Sequence, residues 1–366
     1  MRDWDLSEKY NEGFAVDEFL PFKTMGMITK RDEFTIKLDR DEIWQTVKAL
    51  SQTPDDQLHQ TFGLPKDSDW TASNAKSDVL RTGPDPALVR PVMYAPFDFR
   101  YTYYTGETRG FHARPVRQMM THFDKENFAL SVIRKMDISA GWAHSFCIAG
   151  LMTHHGVSQK EGNYILPLYL YPAEDELDQL RRINFDEKLY AKLRKLAKHA
   201  EYGEPDEVAV FNYIYGVLHC PVYREAYSEF LKLDFPRIPW PTSSALFWDV
   251  SDKGGELRRL HLMEADAIGD TPFPFIGEGD SMIANPRFED GRVWVNDTQY
   301  FDAAPPVSWD FYIGGYQPAQ KWLKDRKGRT LNFDDVKHYQ RILKILSETD
   351  RIMKTIEMPL AAHQEG

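Results

Sequence analysis

Val92-Met93-Tyr94-Ala95-Pro96-Phe97-Asp98-Phe99-Arg100-Tyr101-Thr102-Tyr103-Tyr104-Thr105-Gly106 is the stretch on which the reading of this chain turns. Aromatic residues recur with rough alternation, which favours strands because such side chains pack well on a pleated surface. Pro96 and Gly106 break the run. Further strands are expected at Phe128–Ile133 and Tyr164–Tyr171, the second a buried run ended by Pro172. Upstream, Met25–Thr29 reads as a strand-like turn and Glu33–Leu38 as a strand. Asp39 then introduces an amphipathic helix over Arg40–Leu50, with Ile43, Val47 and Leu50 at helical spacing. Residues 51–90 are polar, carry Pro54, Pro65, Pro84 and Pro86, and read as a connecting region with short helices.

Downstream the pattern turns helical between about 173 and 233. Leu177, Leu180 and Ile183, then Leu189, Leu193 and Leu196, recur three or four apart. Val208–His219 reads as a buried helix and Pro221 suits the first turn of the next. The segment Phe235-Pro236-Arg237-Ile238-Pro239-Trp240 is too rich in proline to be helical. Residues 245–316 read as short strands and turns, punctuated by Gly254–Gly255, Gly277, Gly279, Gly291 and Gly314–Gly315. Ala319–Lys327 forms a short amphipathic piece. A long helix starting at Asn332 or Asp334 runs through Ile356, with a stripe of Val336, Tyr339, Ile342, Leu343 and Leu346. The fold class is therefore α+β. A beta-rich body over 91–316, with a helical insert at about 173–233, follows a linker or coupling segment over 1–90 and precedes a C-terminal helical segment over 317–366.

The chain has 366 residues, 42% of them hydrophobic and 13% aromatic, enough for a sizeable core. Its two cysteines, Cys147 and Cys220, are too few for a disulfide framework. The N-terminal stretch lacks the apolar segment of a signal peptide, and no apolar run approaches the ~20 residues that span a bilayer. The expectation is a soluble, cytoplasmic protein without a membrane partner. Net charge is −11, yet residues 81–135 carry nine Lys/Arg against five Asp/Glu, and residues 318–344 carry eight against three. Two basic islands on an acidic body suit a localised polyanion contact. The alternative is ordinary charge fluctuation between solvated faces.

Catalytic chemistry leaves no comparable trace. An amino-methyltransferase needs a polar–Pro–Pro–aromatic loop to grip its target base, and Ala304-Pro305-Pro306-Val307 has neither flanking member. Phe275-Ile276-Gly277-Glu278-Gly279 superficially resembles a glycine loop for S-adenosylmethionine, but prolines precede it and no convincing helix follows. There is no phosphate-binding GxxxxGK[ST] string and no GxSxG elbow. His154, His155 and Cys147 lack the ligand number and spacing of a zinc site, and adjacent histidines are expected to point apart. No catalytic residue, cofactor or metal is expected.

Several blocks, taken together, resemble a known family. They are Tyr94–Thr105 with Arg114-Pro-Val-Arg117-Gln-Met-Met; Tyr164–Pro172; Val210–Tyr215 through Tyr223-Arg-Glu to Asp234–Trp240; Gly314–Arg329; and the early Met27-Ile-Thr-Lys-Arg31-Asp-Glu-Phe. In this order they resemble the C-terminal part of Type ISP restriction–modification enzymes and related helicase-like DNA methylases. There, one polypeptide joins a nuclease, a helicase-like ATPase, an adenine N6-methyltransferase and a target recognition domain. The resemblance implies the last part only. It implies a duplex-DNA recognition module without a catalytic centre, served by catalytic modules in the same polypeptide or in trans.

The chemistry of such a role needs cations for phosphate and donors for base edges, with Arg the preferred partner of guanine. Arg109 and Arg114, flanking Gly110 in a loop, are the first candidates, with Arg117 and Arg100 nearby and His112 among them. Arg100 sits among core-like aromatics, so a pairing with Asp98 competes with a DNA role. Lys30 and Arg31 follow a strand-like turn. Lys321, Lys324, Arg326, Lys327 and Arg329 are candidate phosphate contacts, against a solvated face as the alternative. Trp240 and Trp322 read as packing anchors. The competing readings are a divergent self-contained methyltransferase or nuclease, and a protein-interaction scaffold.

Overall fold

Val89–Ala95 and Asp98–Tyr103 form an antiparallel hairpin that turns at Pro96–Phe97, with Phe97 at a φ of 64°. In this computed structural model, residues 3–137, 141–173 and 175–359 are described. Residues 360–366 of the expected C-terminal segment, and residue 174 of the expected insert, lie outside them. The hairpin is the centre of a four-stranded sheet. Ile36–Lys37 joins it antiparallel along Asp98–Tyr103, and Leu151–Met152 joins it parallel along Val89–Ala95. A second four-stranded sheet is antiparallel throughout, in the order Thr24–Met25, Asn163–Pro167, Ala129–Ile133, Ser145–Ile148. A third, smaller sheet is built from strands between Phe275 and Phe301.

The segment expected to be a linker, 1–90, is woven into this body. Thr24–Met25 and Ile36–Lys37 are edge strands of the two larger sheets, and Phe14–Ala15 pairs with Arg237–Ile238. Strands of two residues give no periodic signal, so the composition alone suggested a connector. Before Ile36, the expected strand is a helical turn, Asp32–Thr35. The helix Arg40–Gln52 forms as expected, and Asp39 caps it by accepting from the Asp41 and Glu42 amides at 2.7 and 3.3 Å. Its buried face meets Trp70, Ala75, Val79, Tyr103 and Phe111 in a satellite core beside the main one.

Two expected elements differ. Residues 175–181 are irregular, with Leu177 and Leu180 exposed, Arg182–Ile183 pairs antiparallel with Tyr169–Leu170, and helix begins only at Glu187–Ala197, capped by Asp186. In turn, Ser244–His261 is one 18-residue helix, capped by Ser243, where strands and turns were expected. Gly254 and Gly255 sit inside it. A Cβ on Gly254 would lie 1.9 Å from the Asn212 carbonyl oxygen, and one on Gly216 would lie 2.5 Å from that of Val250. These glycines let the helix press backbone to backbone on the buried helix Glu207–His219. The long C-terminal helix runs over Phe333–Met353, capped by Asn332, and buries Tyr339, Ile342, Leu343 and Leu346 in the main core. The chain is α+β.

Candidate nucleic-acid interface

The loop Thr105–Pro115 is fixed from behind by one carboxylate. Asp78, 3% exposed on the helix Ala72–Thr82, accepts from Thr105 Oγ1 at 2.6 Å and from the Phe111 amide at 2.8 Å. Its other oxygen takes the Arg81 guanidinium at 2.8 Å. Trp70 Nε1 donates to the Phe111 carbonyl at 3.0 Å, and the Phe111 ring is wholly buried. With Phe111 anchored inward, Arg109 and Arg114 on either side face outward and are exposed. Arg109 has a φ of 57°, and its amide closes onto the Ala113 carbonyl at 3.0 Å.

His112 is an internal strut of the same loop. Thr102 Oγ1 donates to the Thr35 carbonyl at 2.7 Å, so it must accept from His112 Nε2, also at 2.7 Å. Burial pushes the His112 pKa down to about 4, against a smaller opposing pull from Asp78. The ring is therefore neutral at neutral pH and unsuited to phosphate.

A second segment reaches the same place. Ile28 and Arg114 exchange both backbone hydrogen bonds at 2.9 Å, and two residues on Lys30 takes a φ of 66°. Lys30, Arg109 and Arg114 thus converge on one open groove of about 680 Å³, which Ser68, Asp69, Thr71, Asn74, Thr108 and Gln118 complete. Among the described residues, no carboxylate pairs with any of the three cations. Their charge is unspent, and amide side chains that suit base edges stand beside them. Asn74 and Gln118 gave no sequence signal. Their relevance comes from a wall assembled by segments forty residues apart.

The other candidates fall into distinct places. Arg31 does not line the groove; it donates to the Lys66 carbonyl at 3.0 Å and lies over Trp70. Arg117 is exposed, but its stem covers Gly106 and it does not line the groove. Arg100 and Arg326 do not suit the phosphate or base role expected of them. Both bind Asp98, Arg100 from Nε and Nη2 at 3.0 and 2.7 Å, Arg326 from Nη2 at 2.7 Å. Arg326 is buried and Arg100 also pairs with Asp325 at 2.5 Å. Burial pushes the Asp98 pKa up, but Arg326 and Arg100 outweigh it and hold the carboxyl below its usual value.

On the helix Pro318–Lys324, Lys321 is paired with Asp325 at 2.8 Å, whereas Lys324 is exposed and donates to Gln320 at 3.0 Å. Lys327 is exposed, and Arg329 lines a separate hollow with Lys337 and Arg341. A separate hollow of about 300 Å³ is bordered by Asp32, Tyr94, His154, His155, Gln159, Tyr316 and Lys321. A further shallow hollow continues it past Gln317, Gln320 and Lys324, sharing Gln159, Tyr316 and Lys321. The early Met27–Phe34 block and the late Gly314–Arg329 block therefore border neighbouring hollows. His154 and His155 were expected to point apart; instead their ring centroids lie 3.8 Å from one another. Among the described residues, no group of three or more His, Cys, Asp or Glu side chains is arranged to hold a metal ion. No described helix is long and apolar enough to cross a membrane.

Fold and surface together define an α+β module that presents unpaired cations and amides from a rigidly backed loop. The chain belongs to the Type ISP C-terminal specificity domain family, whose model matches residues 18–355. Its fold is similar to part of the DrdV chain in a cryoEM structure of a DrdV–DNA complex, with TM-score 0.73 and 19% identity. That match covers 96% of this chain and 38% of the other. A nuclease-deletion mutant of the Type ISP restriction-modification enzyme LlaGI, in complex with a DNA substrate mimic, gives TM-score 0.67 at 16% identity over 98% and 35%. The ATP-dependent Type ISP restriction-modification enzyme LlaBIII bound to DNA gives 0.69 at 18% over 95% and 24%. The chain thus spans well under half the length of these structural neighbours. No curated protein matches it.

Proposed function

We propose that this chain is a sequence-specific duplex-DNA recognition module of a restriction–modification system, acting for methyltransferase, helicase and nuclease modules in the same polypeptide or in trans. It performs no methyl transfer and no cleavage of its own. The observation that carries this reading is the convergence of Lys30, Arg109 and Arg114, unpaired among the described residues, on one groove. Family membership supports it, as do the DNA complexes of the structural neighbours.

The roles divide by support. Arg109 and Arg114, held at fixed points of the Asp78-anchored loop, read base edges, while Lys30 neutralises phosphate at the rim. Lys324 and Lys327, on long exposed stems, add phosphate contacts further along the surface. A net charge of −11 disfavours DNA over the acidic remainder of the surface. Binding is then confined to this tract and depends steeply on salt.

Salt titration of the purified chain with duplex DNA tests the proposal. Neutralising about three to five phosphates gives a slope of log K against log salt of roughly −3 to −4.5. An affinity unchanged between low and moderate salt would remove the phosphate contacts and leave an interaction scaffold as the better account. Methylated adenine after incubation with S-adenosylmethionine and DNA would overturn the non-catalytic assignment.

A further inference from the structure

The hollow lined by His154 and His155 differs in chemistry from the arginine groove. His154 Nδ1 lies 3.2 Å from the Met27 carbonyl, and His155 Nδ1 lies 3.2 Å from the Glu161 carbonyl. A carbonyl oxygen only accepts, so each Nδ1 carries the proton. In a neutral ring Nε2 is then a bare acceptor. Among the described residues, neither Nε2 has a hydrogen-bond partner, and neither is a buried unsatisfied atom, so both are open to solvent.

Two of the remaining polar groups add acceptors, while the Tyr316 hydroxyl spends its proton on the His155 carbonyl at 2.7 Å. Asp32 contributes a carboxylate, which already accepts from Thr29 Oγ1. Gln159 spends its amide nitrogen on the Gly315 carbonyl at 3.2 Å, leaving its oxygen as acceptor. The ammonium that lines the hollow, Lys321, is engaged by Asp325. The open histidine nitrogens beside a carboxylate suit N–H donors. On a duplex, the donors displayed in the major groove are the exocyclic amino groups of adenine and cytosine.

We propose that His154 and His155 form a second reading element, in which their Nε2 atoms accept from the exocyclic amino group of an adenine or cytosine adjacent to the bases read by Arg109 and Arg114. This rests on the reading that the surface binds duplex DNA, and it adds acceptor readout to donor readout. The protonation state of His154 fits the task. Burial, then the neighbouring His155, then Lys30 depress the His154 pKa to about 4, outweighing the Met27 carbonyl and Asp32. At neutral pH that ring accepts and does not donate.

Selection from a randomised duplex pool, with wild-type chain and with the His154→Ala/His155→Ala double variant, tests the proposal. Thermal melting of both proteins accompanies it. In the expected result, wild type enriches a motif that contains an A or C preference which the variant loses, while neighbouring guanine preferences persist. A second measurement leaves the protein untouched. Replacing the implicated base by purine or 2-pyrimidinone, which lack the exocyclic amino group, should weaken wild-type binding by roughly 5- to 100-fold and variant binding hardly at all. The two analogues also separate adenine from cytosine. An unchanged motif in the double variant, or equal sensitivity of both proteins to the analogues, overturns this inference alone. If wild type enriches no motif, the underlying assignment of DNA recognition fails with it. If the preference appears only on adding zinc ion, the hollow is a cation site and the amino-group reading is wrong.

Discussion

Asp78 occupies the space that any side chain at position 110 would need: a Cβ on Gly110 would lie 2.2 Å from Asp78 Oδ2. The same oxygen holds Thr105 and the Phe111 amide. Gly110→Ala therefore has to displace the carboxylate and break two hydrogen bonds to it. The expected cost is about 1–3 kcal/mol of stability, read as a lowered urea midpoint. Selective DNA binding should fall further than binding to random duplex, because the arginines on either side lose their fixed backbone. Unaltered stability and selectivity in Gly110→Ala would show that the loop finds its place without Asp78.

Asp98 gathers two arginines into one charged cluster. Arg100 and Arg326 share it, and Arg326 comes from 228 residues away in sequence. Removing the carboxylate in Asp98→Ala leaves two cations packed together with Asp325 alone to answer them. We expect a loss of roughly 3–5 kcal/mol, as for breaking a buried pair from one side. Chemical denaturation at neutral pH measures it; a loss below 1 kcal/mol would mean that the cluster contributes little.

How much of this was legible in sequence depended on the distance over which the decisive physics acts. Asp39 and Asn332, acting within three residues, announced their helices correctly. The loop Thr105–Pro115 and its outward arginines were also readable, because glycine and alternating aromatics are local signals. The Asp78 anchor, the sharing of Asp98 and the arrival of Lys30 beside Arg114 depend on tertiary neighbours that no local pattern reports. Periodicity misled at Leu177, Leu180 and Ile183, which repeat like a helix face, yet the two leucines are exposed and Ile183 pairs with Tyr169 in a short strand. Gly254–Gly255 misled in the opposite direction. Glycines look like turn punctuation unless the second helix that needs their missing side chains is already in view.

That helix crossing is testable by adding one carbon. Gly254→Ala places a Cβ against the Asn212 carbonyl, where neither backbone has room to yield. The expected destabilisation is about 1–3 kcal/mol from overpacking, despite alanine's better helix propensity. A stabilised Gly254→Ala protein would contradict the close approach.

Acid should weaken the fold in a defined window. The pKa values of His112 and His144 are depressed to about 4, and that of His261 to about 3, in each case chiefly by burial. The unfolded chain takes up these protons near pH 6.5, whereas the folded chain resists them until about pH 4. The stability is complete above pH 6.5 and is lost as pH falls through this interval. For fully buried His112 the loss amounts to at most about 3 kcal/mol. Urea midpoints between pH 7 and pH 4.5 should therefore decline, and His112→Phe should decline less steeply. Parallel profiles for the two proteins would remove His112 from the account.

The central claim is that Arg109 and Arg114 read bases while Lys324 touches only phosphate. The direct measurement is a competition titration of Arg109→Ala, Arg114→Ala and Lys324→Ala against the selected duplex and a scrambled one, with folding checked by thermal melt. Either arginine variant should lose roughly 1–3 kcal/mol on the selected duplex and little on the scrambled one. Lys324→Ala should weaken both about equally. Equal losses on both duplexes for both arginine variants, with melting unchanged, would contradict the claim.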